Sequence, residues 1–296
     1  MLNIKEGSEK RTNLLKRYWR NGKEYHKKSS EFISNYEDQI VVIKYGGFSL
    51  KKKKLVTSFA KNISLLNQLG IKIIVVHGGG PQIETELRKQ KIIDKEYQGL
   101  RITTKEILKI VKKILGKELN KMICNEINKF NGKAISFNGI NKKLIKAKIA
   151  MNGKIGFVGT PTKLLRKKLI SQISKNKVPV ISPIGFDDNG SSYNINADIA
   201  AGFIAETLKA KRLLLLTDVA GVMNNQKKLI TELDKKKAFE YIKKGIIKGG
   251  MIPKVKTCFK TLNKGVRGVA MIDGRTENAI LMELLTEKGA GTLIRK

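Results

Sequence analysis

Three short runs of this sequence are apolar at every position: Ile40-Val41-Val42-Ile43, Ile73-Ile74-Val75-Val76 and Leu213-Leu214-Leu215-Leu216. Side chains along a strand point alternately to opposite faces. A strand with one wet face therefore alternates apolar and polar residues, and these three do not. They read as strands covered on both sides, the habit of a parallel sheet sandwiched between helices. Parallel neighbours need long crossovers, and helical segments fall where crossovers are required.

The expected order follows from that frame. The strand "QIVVIKY" (39–45) leads to a helix over 51–70 closed by Gly70, then to the strand and turn "IKIIVVHGGG" (71–80). Pro81 stands where the first turn of a helix tolerates it. One long helix is expected over 103–130, capped by Thr103 or Thr104, then a strand over 133–140 and a hairpin over 143–158. A second series predicts a helix over 160–177, a strand over 178–187, a helix over 197–210 and the buried strand "KRLLLLTDV". Helices over 234–244 and 253–264, the strand "GVAMID" and a helix over 277–289 complete it. The expected fold class is α/β, a three-layer αβα sandwich with a mostly parallel central sheet. Residues 1–36 read as an N-terminal helical extension. Within it, 9–36 is one charged amphipathic helix carrying Leu14, Leu15, Tyr18, Trp19, Tyr25, Phe32 and Ile33, set outside the core. Residues 37–185 and 186–296 read as two lobes sharing one sheet.

Charge is the loudest compositional number, a net +35. Fifty lysines stand against ten arginines, spread from Lys5 to Lys296 rather than held in one patch. A nucleic-acid reader would cluster arginine forks and aromatics. Lysine, asparagine and isoleucine are the residues A/T-rich codons favour, so the excess reads as drift, and no specific nucleic-acid partner is expected. No apolar run approaches the roughly 18–20 residues of a membrane helix, and the basic N-terminus lacks the apolar core of a secretory signal. Two distant cysteines, Cys124 and Cys258, fit free thiols in a cytoplasmic protein.

In sheets of this type ligands collect beyond the carboxyl ends of the strands, and those ends carry unusual residues. Lys44-Tyr45-Gly46-Gly47 ends the first strand and His77-Gly78-Gly79-Gly80 the second. Thr217-Asp218 ends the leucine strand, Asn194-Ile195-Asn196-Ala197-Asp198 enters a helix, and Lys254 falls in the first turn of another. Glycine pairs let an anion approach backbone N–H groups, a helix start adds its positive end, and lysines add charge. The set describes a site for several phosphates or carboxylates. The lysine precedes its glycines, so this is not a P-loop.

"KYGG", "VHGGGPQI", "GLRIT", "NINAD" and "GGMIPKV" occur in order and resemble the blocks of the acetylglutamate kinases, in the amino acid kinase family. The resemblance runs from about residue 37 to the C-terminus. It implies that ATP phosphorylates the γ-carboxylate of N-acetyl-L-glutamate, a step of arginine biosynthesis. It implies that 37–185 binds the acceptor and 186–296 the nucleotide. By the same resemblance Lys44 and Lys254 stabilise charge on the transferring phosphoryl and leaving phosphate, and Asp198 holds both lysines. Gly46 and Gly47 face ATP phosphates, Gly79 and Gly80 the reacting carboxylate, Arg101 the α-carboxylate and Asn194 the acetamido end. Thr217 and Asp218 fall on the adenosine side, and Mg²⁺ is expected among the phosphates. The N-terminal helix and "ELLTEKGAGTLI" resemble the arginine-sensitive type, which implies feedback inhibition by arginine and a homodimer or a hexameric ring. Two alternatives stand beside this: a kinase of an acylated aminoadipate in lysine biosynthesis, and a basic nucleic-acid-binding protein on a kinase fold.

Overall fold

The computed structural model describes residues 2–19, 22, 26–249 and 251–296. Helices α1 (Leu2–Tyr18) and α2 (His26–Ser34) precede β1 (Ile40–Tyr45), α3 (Lys53–Gln68), β2 (Lys72–His77) and α4 (Gly80–Lys89). A hairpin of β3 (Glu96–Tyr97) and β4 (Leu100–Arg101) leads into α5 (Lys105–Val111), a π-helical stretch (Lys112–Leu119), α6 (Asn120–Asn128) and β5 (Ala134–Phe137). Next come β6 (Ile145–Ile149), β7 (Gly159–Leu164), α7 (Arg166–Ile173), β8 (Val178–Ile181), β9 (Ile184–Phe186) and β10 (Ser192–Asn194). The chain closes with α8 (Ala197–Thr207), β11 (Arg212–Thr217), β12 (Glu232–Leu233), α9 (Lys235–Lys243), α10 (Met251–Asn263), β13 (Val269–Asp273), α11 (Ala279–Leu285) and β14 (Gly291–Ile294).

Eight strands form one sheet in the order β12-β14-β13-β11-β1-β2-β8-β5. Every neighbouring pair is parallel except β13 with β14. The apolar runs behave as their pattern requires. Val41, Ile43, Ile73, Val75, Leu214 and Leu216 enter the core on one face, and Val42, Ile74, Val76, Leu213 and Leu215 the core on the other. Burial of each such side chain is worth about 1.5–3 kcal/mol. A second sheet has the order β10-β9-β6-β7.

Several expectations need correction. The N-terminal segment is two helices, and it is not outside the core. Leu15, Trp19, Ile33 and Tyr36 are buried in the same cluster as Ile43 and Ile73. Gly22 lies so close to Trp19 that a Cβ there would sit 2.4 Å from the indole ring, which explains the glycine. Tyr25 and Gly250, both part of the expected patterns, lie outside the described residues. The segment Thr160–Leu164 belongs to strand β7, not to a helix. Its threonines are β-branched, and Pro161 sits on an edge strand, where a missing N–H is tolerated. The expected strand over 178–187 splits between two sheets, because the chain turns at Ser182-Pro183. Helix 103–130 passes through its π-helical stretch at Gly116, where a Cβ would lie 3.0 Å from the Asn138 carbonyl oxygen.

Candidate active site

Alternation along β1 places the key lysine. Tyr45 turns into the core, so Lys44, one residue earlier, faces the other way and emerges at the strand tip with 12% of its side chain exposed. Asp198 comes from the second residue of α8. Asn196 caps that helix, its side chain accepting from the Asp198 and Ile199 N–H groups at 2.9 and 3.2 Å. Lys254 stands in the first turn of α10. One carboxylate joins all three elements: Lys44 Nζ lies 3.0 Å from Asp198 Oδ1, and Lys254 Nζ donates to Oδ2 at 3.2 Å. Burial alone would raise the Asp198 pKa, but the two lysine charges outweigh it and bring it down to about 2. The helix start favours the same ionised form.

The glycine turns of β1 and β2 interlock. A Cβ on Gly47 would lie 3.0 Å from both Gly79 Cα and Gly80 N, and one on Gly46 would lie 2.9 Å from the Leu216 carbonyl oxygen. A Cβ on Gly79 would collide with Leu115 and Leu119 at 2.5 and 2.6 Å. The Gly78 N–H donates to the Tyr45 carbonyl at 2.8 Å, and Gln82 Nε2 donates to the Gly47 carbonyl at 2.9 Å. Gly79 and Gly80 begin α4, so their N–H groups belong to the set that a helix leaves without internal partners.

A cavity of about 200 Å³ opens between these turns and the second sheet. Lys44, Gly47, Gly79, Gly80, Arg101, Asn194 and Asp198 all reach its wall. Arg101 pairs with Asp94, and its other nitrogen donates to the Gly80 carbonyl at 3.4 Å. Asn194 Nδ2 donates to Thr103 Oγ1 at 3.1 Å. Gly46 and Lys254 are not in its wall: a Cβ on Gly46 would lie 3.8 Å from Lys44 Nζ, and Lys254 joins the site through Asp198. Thr217 and Asp218 lie off this cavity at the β11 tip. There Thr217 Oγ1 bonds Val219, and Arg275 grips Asp273 with two hydrogen bonds of 2.8–2.9 Å.

Sequence reasoning missed Asp94, Gln82, Thr103 and Asn196. Of these only Asn196 carried a readable signal, an asparagine two residues before a helical aspartate. Gln82 and Thr103 act through contacts distant in sequence, and Asp94 meets Arg101 across the short β3–β4 hairpin, which no pattern in the sequence announces.

Two cations gathered on one carboxylate beside paired backbone donors, at the carboxyl ends of a mostly parallel αβα sheet, suit phosphoryl transfer, the chemistry of a small-molecule kinase. The sequence pattern of the amino acid kinase family matches residues 39–273. The chain is 43% identical to acetylglutamate kinase of Ruegeria pomeroyi, covering 90% of this chain and 92% of that one. It is 44% identical to acetylglutamate kinase of Nitratidesulfovibrio vulgaris over 90% of each. The chain belongs to the acetylglutamate kinases of the amino acid kinase family. Among solved structures, N-acetylglutamate synthase of Neisseria gonorrhoeae superposes with a TM-score of 0.83 at 21% identity, over 92% of this chain and 63% of that one. Carbamate kinase of Giardia lamblia follows at 0.64 and 19%, over 87% and 98%. At such identities these two show a shared fold.

Proposed function

We infer that this chain transfers the γ-phosphoryl group of ATP to the γ-carboxylate of N-acetyl-L-glutamate, a step of arginine biosynthesis. The observation that carries the reading is the Lys44–Asp198–Lys254 cluster at the mouth of a cavity that Arg101 and Asn194 also line. A carboxylate of pKa about 4.3 is already ionised at neutral pH, so the acceptor needs no base. The obstacle is charge: an anion must approach a triphosphate. In this reading Lys44 meets the transferring phosphoryl group, Lys254 the leaving β-phosphate, and Asp198 keeps the ammonium groups in register. Gly46 and Gly47 contact phosphate oxygens, and Gly79 and Gly80 the reacting carboxylate. Arg101 takes the α-carboxylate, aimed by Asp94, and Asn194 the acetamido end. Thr217 and Asp218 border the adenosine. Residues 37–185 then form the acceptor lobe and 186–296 the nucleotide lobe.

Among the described residues no group of three or more His, Cys, Asp or Glu side chains could hold a metal unaided. Mg²⁺ would be held by the phosphates and water, and would offset their charge. Arginine as feedback inhibitor is part of the reading. It rests on the resemblance of the N-terminal helical segment and of "ELLTEKGAGTLI" to the arginine-sensitive type. A homodimer or hexamer and a cytoplasmic location belong to it too. The buried free thiols Cys124 and Cys258 accord with the location, and no described helix is long and apolar enough to cross a membrane.

Trapping of acyl phosphate as hydroxamate tests the reading. Turnover is expected with N-acetyl-L-glutamate and ATP, and suppression by arginine. Turnover with an acylated aminoadipate alone would overturn the acceptor assignment. Full activity in excess arginine would overturn the inhibition.

A further inference from the structure

His77 ends β2 beside the glycine turn, fully buried, and the chemistry described above leaves it unused. Its ring joins three elements. Nδ1 lies 3.0 Å from the carbonyl oxygen of Gly78, and Nε2 lies 3.1 Å from Ser182 Oγ on the turn after β8. Asn120, at the start of α6, brings its Nδ2 to 3.3 Å from Nε2, and donates to Ser182 Oγ and the Val180 carbonyl at 3.0 Å each. The Ser182 hydroxyl reaches the Leu115 carbonyl at 2.9 Å. Leu115 lies in the π-helical stretch, where the ladder is shifted by one residue.

Donor bookkeeping settles the tautomer. The Gly78 oxygen is only an acceptor, so Nδ1 must carry the proton. Nε2 then accepts, facing the Ser182 hydroxyl at 3.1 Å and the Asn120 amide at 3.3 Å, two groups that can each turn a hydrogen towards it. All of these partners are neutral. The preceding peptide, between His77 and Gly78, is held as well, since the Gly78 N–H donates to the Tyr45 carbonyl at 2.8 Å. The Gly78 carbonyl shares its peptide plane with the Gly79 N–H, so the planes on both sides of Gly78 are pinned, and Gly79 and Gly80 follow directly in the cavity wall.

We propose that His77 is a positioning residue: as the neutral Nδ1–H tautomer, locked by Ser182 and Asn120, it fixes the Gly78 peptide. It thereby aims the Gly79 and Gly80 N–H groups at the acceptor carboxylate. This rests on the acceptor reading of the cavity. A network that only stabilised the fold would affect both substrates alike; one that aims this turn acts on the acceptor.

The chain has two histidines, His26 and His77, so imidazole nitrogen spectra of the ¹⁵N-histidine-labelled full chain are assignable with a single His26→Gln control. The expected spectrum at pH 7 shows His77 neutral and protonated on Nδ1. A proton on Nε2 overturns the proposal, whatever happens to turnover. Kinetics supply the second arm. An asparagine amide can occupy the place of Nδ1, whereas a glutamine amide reaches only the place of Nε2. His77→Asn should hold the acceptor KM within about threefold. His77→Gln should raise it about tenfold or more, the size of one lost buried hydrogen bond, with the ATP KM unmoved. Ser182→Ala, a smaller change, should raise the acceptor KM a few-fold. Equal rises for acceptor and ATP, or equal damage from His77→Asn and His77→Gln, would overturn it. A wild-type chain inactive on N-acetyl-L-glutamate would sink the acceptor reading instead, with the tautomer result still standing.

Discussion

Two adjacent strand tips are finished in opposite ways. β1 and β2 pair in parallel, with Tyr45 opposite His77. The β1 tip presents charge: Lys44 stands against Asp198, which in turn holds Lys254. The β2 tip presents backbone, steadied by His77, Ser182 and Asn120 without a formal charge among them. The difference teaches a division of labour. In the proposed reaction the charge that develops during phosphoryl transfer falls to the fixed ions of the β1 tip, which act strongly in a site partly shielded from water. In that reading the acceptor carboxylate arrives already ionised, so it needs direction more than activation, and the N–H groups of Gly79 and Gly80 are placed to supply it.

The strongest way to break this comparison is to remove the charge at the first tip. Lys44→Ala should lower kcat by about 10²–10³-fold, the usual cost of losing one group that stabilises transition-state charge. The chain should stay folded, because the lysine contributes no packing to the cores. Hydroxamate kinetics and a thermal melt on the same preparation check both halves. Unchanged turnover would remove Lys44 from the mechanism.

The two tips should also lose stability in separate pH windows. Burial lowers the His77 pKa to about 4, against the ordinary value near 6.5. As pH falls below 6.5 the unfolded chain takes up this proton and the folded chain does not, so stability drops until about pH 4. The loss approaches about 3 kcal/mol. Asp198 is the reverse case, an acid whose folded pKa is depressed to about 2. Its contribution is complete above its ordinary value of 3.8 and disappears as pH falls from there to 2, about 2 kcal/mol in all. Urea titrations from pH 7 to 3 should show the upper window in the wild type and its absence in His77→Asn. A slope that survives His77→Asn would assign the window to other groups.

The two tips differed in how much of them could be read in advance. Unbroken apolar runs announce buried parallel strands, and the eight-stranded sheet follows. Lysines and glycines at strand ends announce an anion site because their chemistry is local. The His77 network was hidden, since Ser182 lies 105 positions away and Asn120 sits within a helix. Such polar contacts leave no periodicity in the chain. The N-terminal helices misled for the opposite reason: their many charges suggest a solvated appendage, while a few side chains, Leu15, Trp19 and Ile33, decide where they pack. Thr160–Leu164 misleads because only Leu165 separates the edge strand from the helix that starts at Arg166, so no turn residue marks the boundary.

The smallest expected effect sharpens the comparison most. Tyr45 and His77 are register partners, both buried, both aromatic and polar. His77 satisfies both ring nitrogens. Tyr45 stacks on Phe59 with ring centroids 3.7 Å apart, yet no protein group among the described residues bonds its hydroxyl. Burial accordingly drives its pKa well above the usual phenol range. A hydroxyl that makes no bond in the fold forfeits its hydrogen bonds to water on burial, so deleting it should cost nothing. Tyr45→Phe keeps the stacking and should change stability by less than about 1 kcal/mol, with any shift towards greater stability. Acceptor KM should not move, because the Tyr45 carbonyl that holds Gly78 is untouched. A loss of more than about 2 kcal/mol would mean that the phenol belongs to a polar network of its own. The two tips would then be alike in their supports, and the contrast between them would reduce to the charges alone.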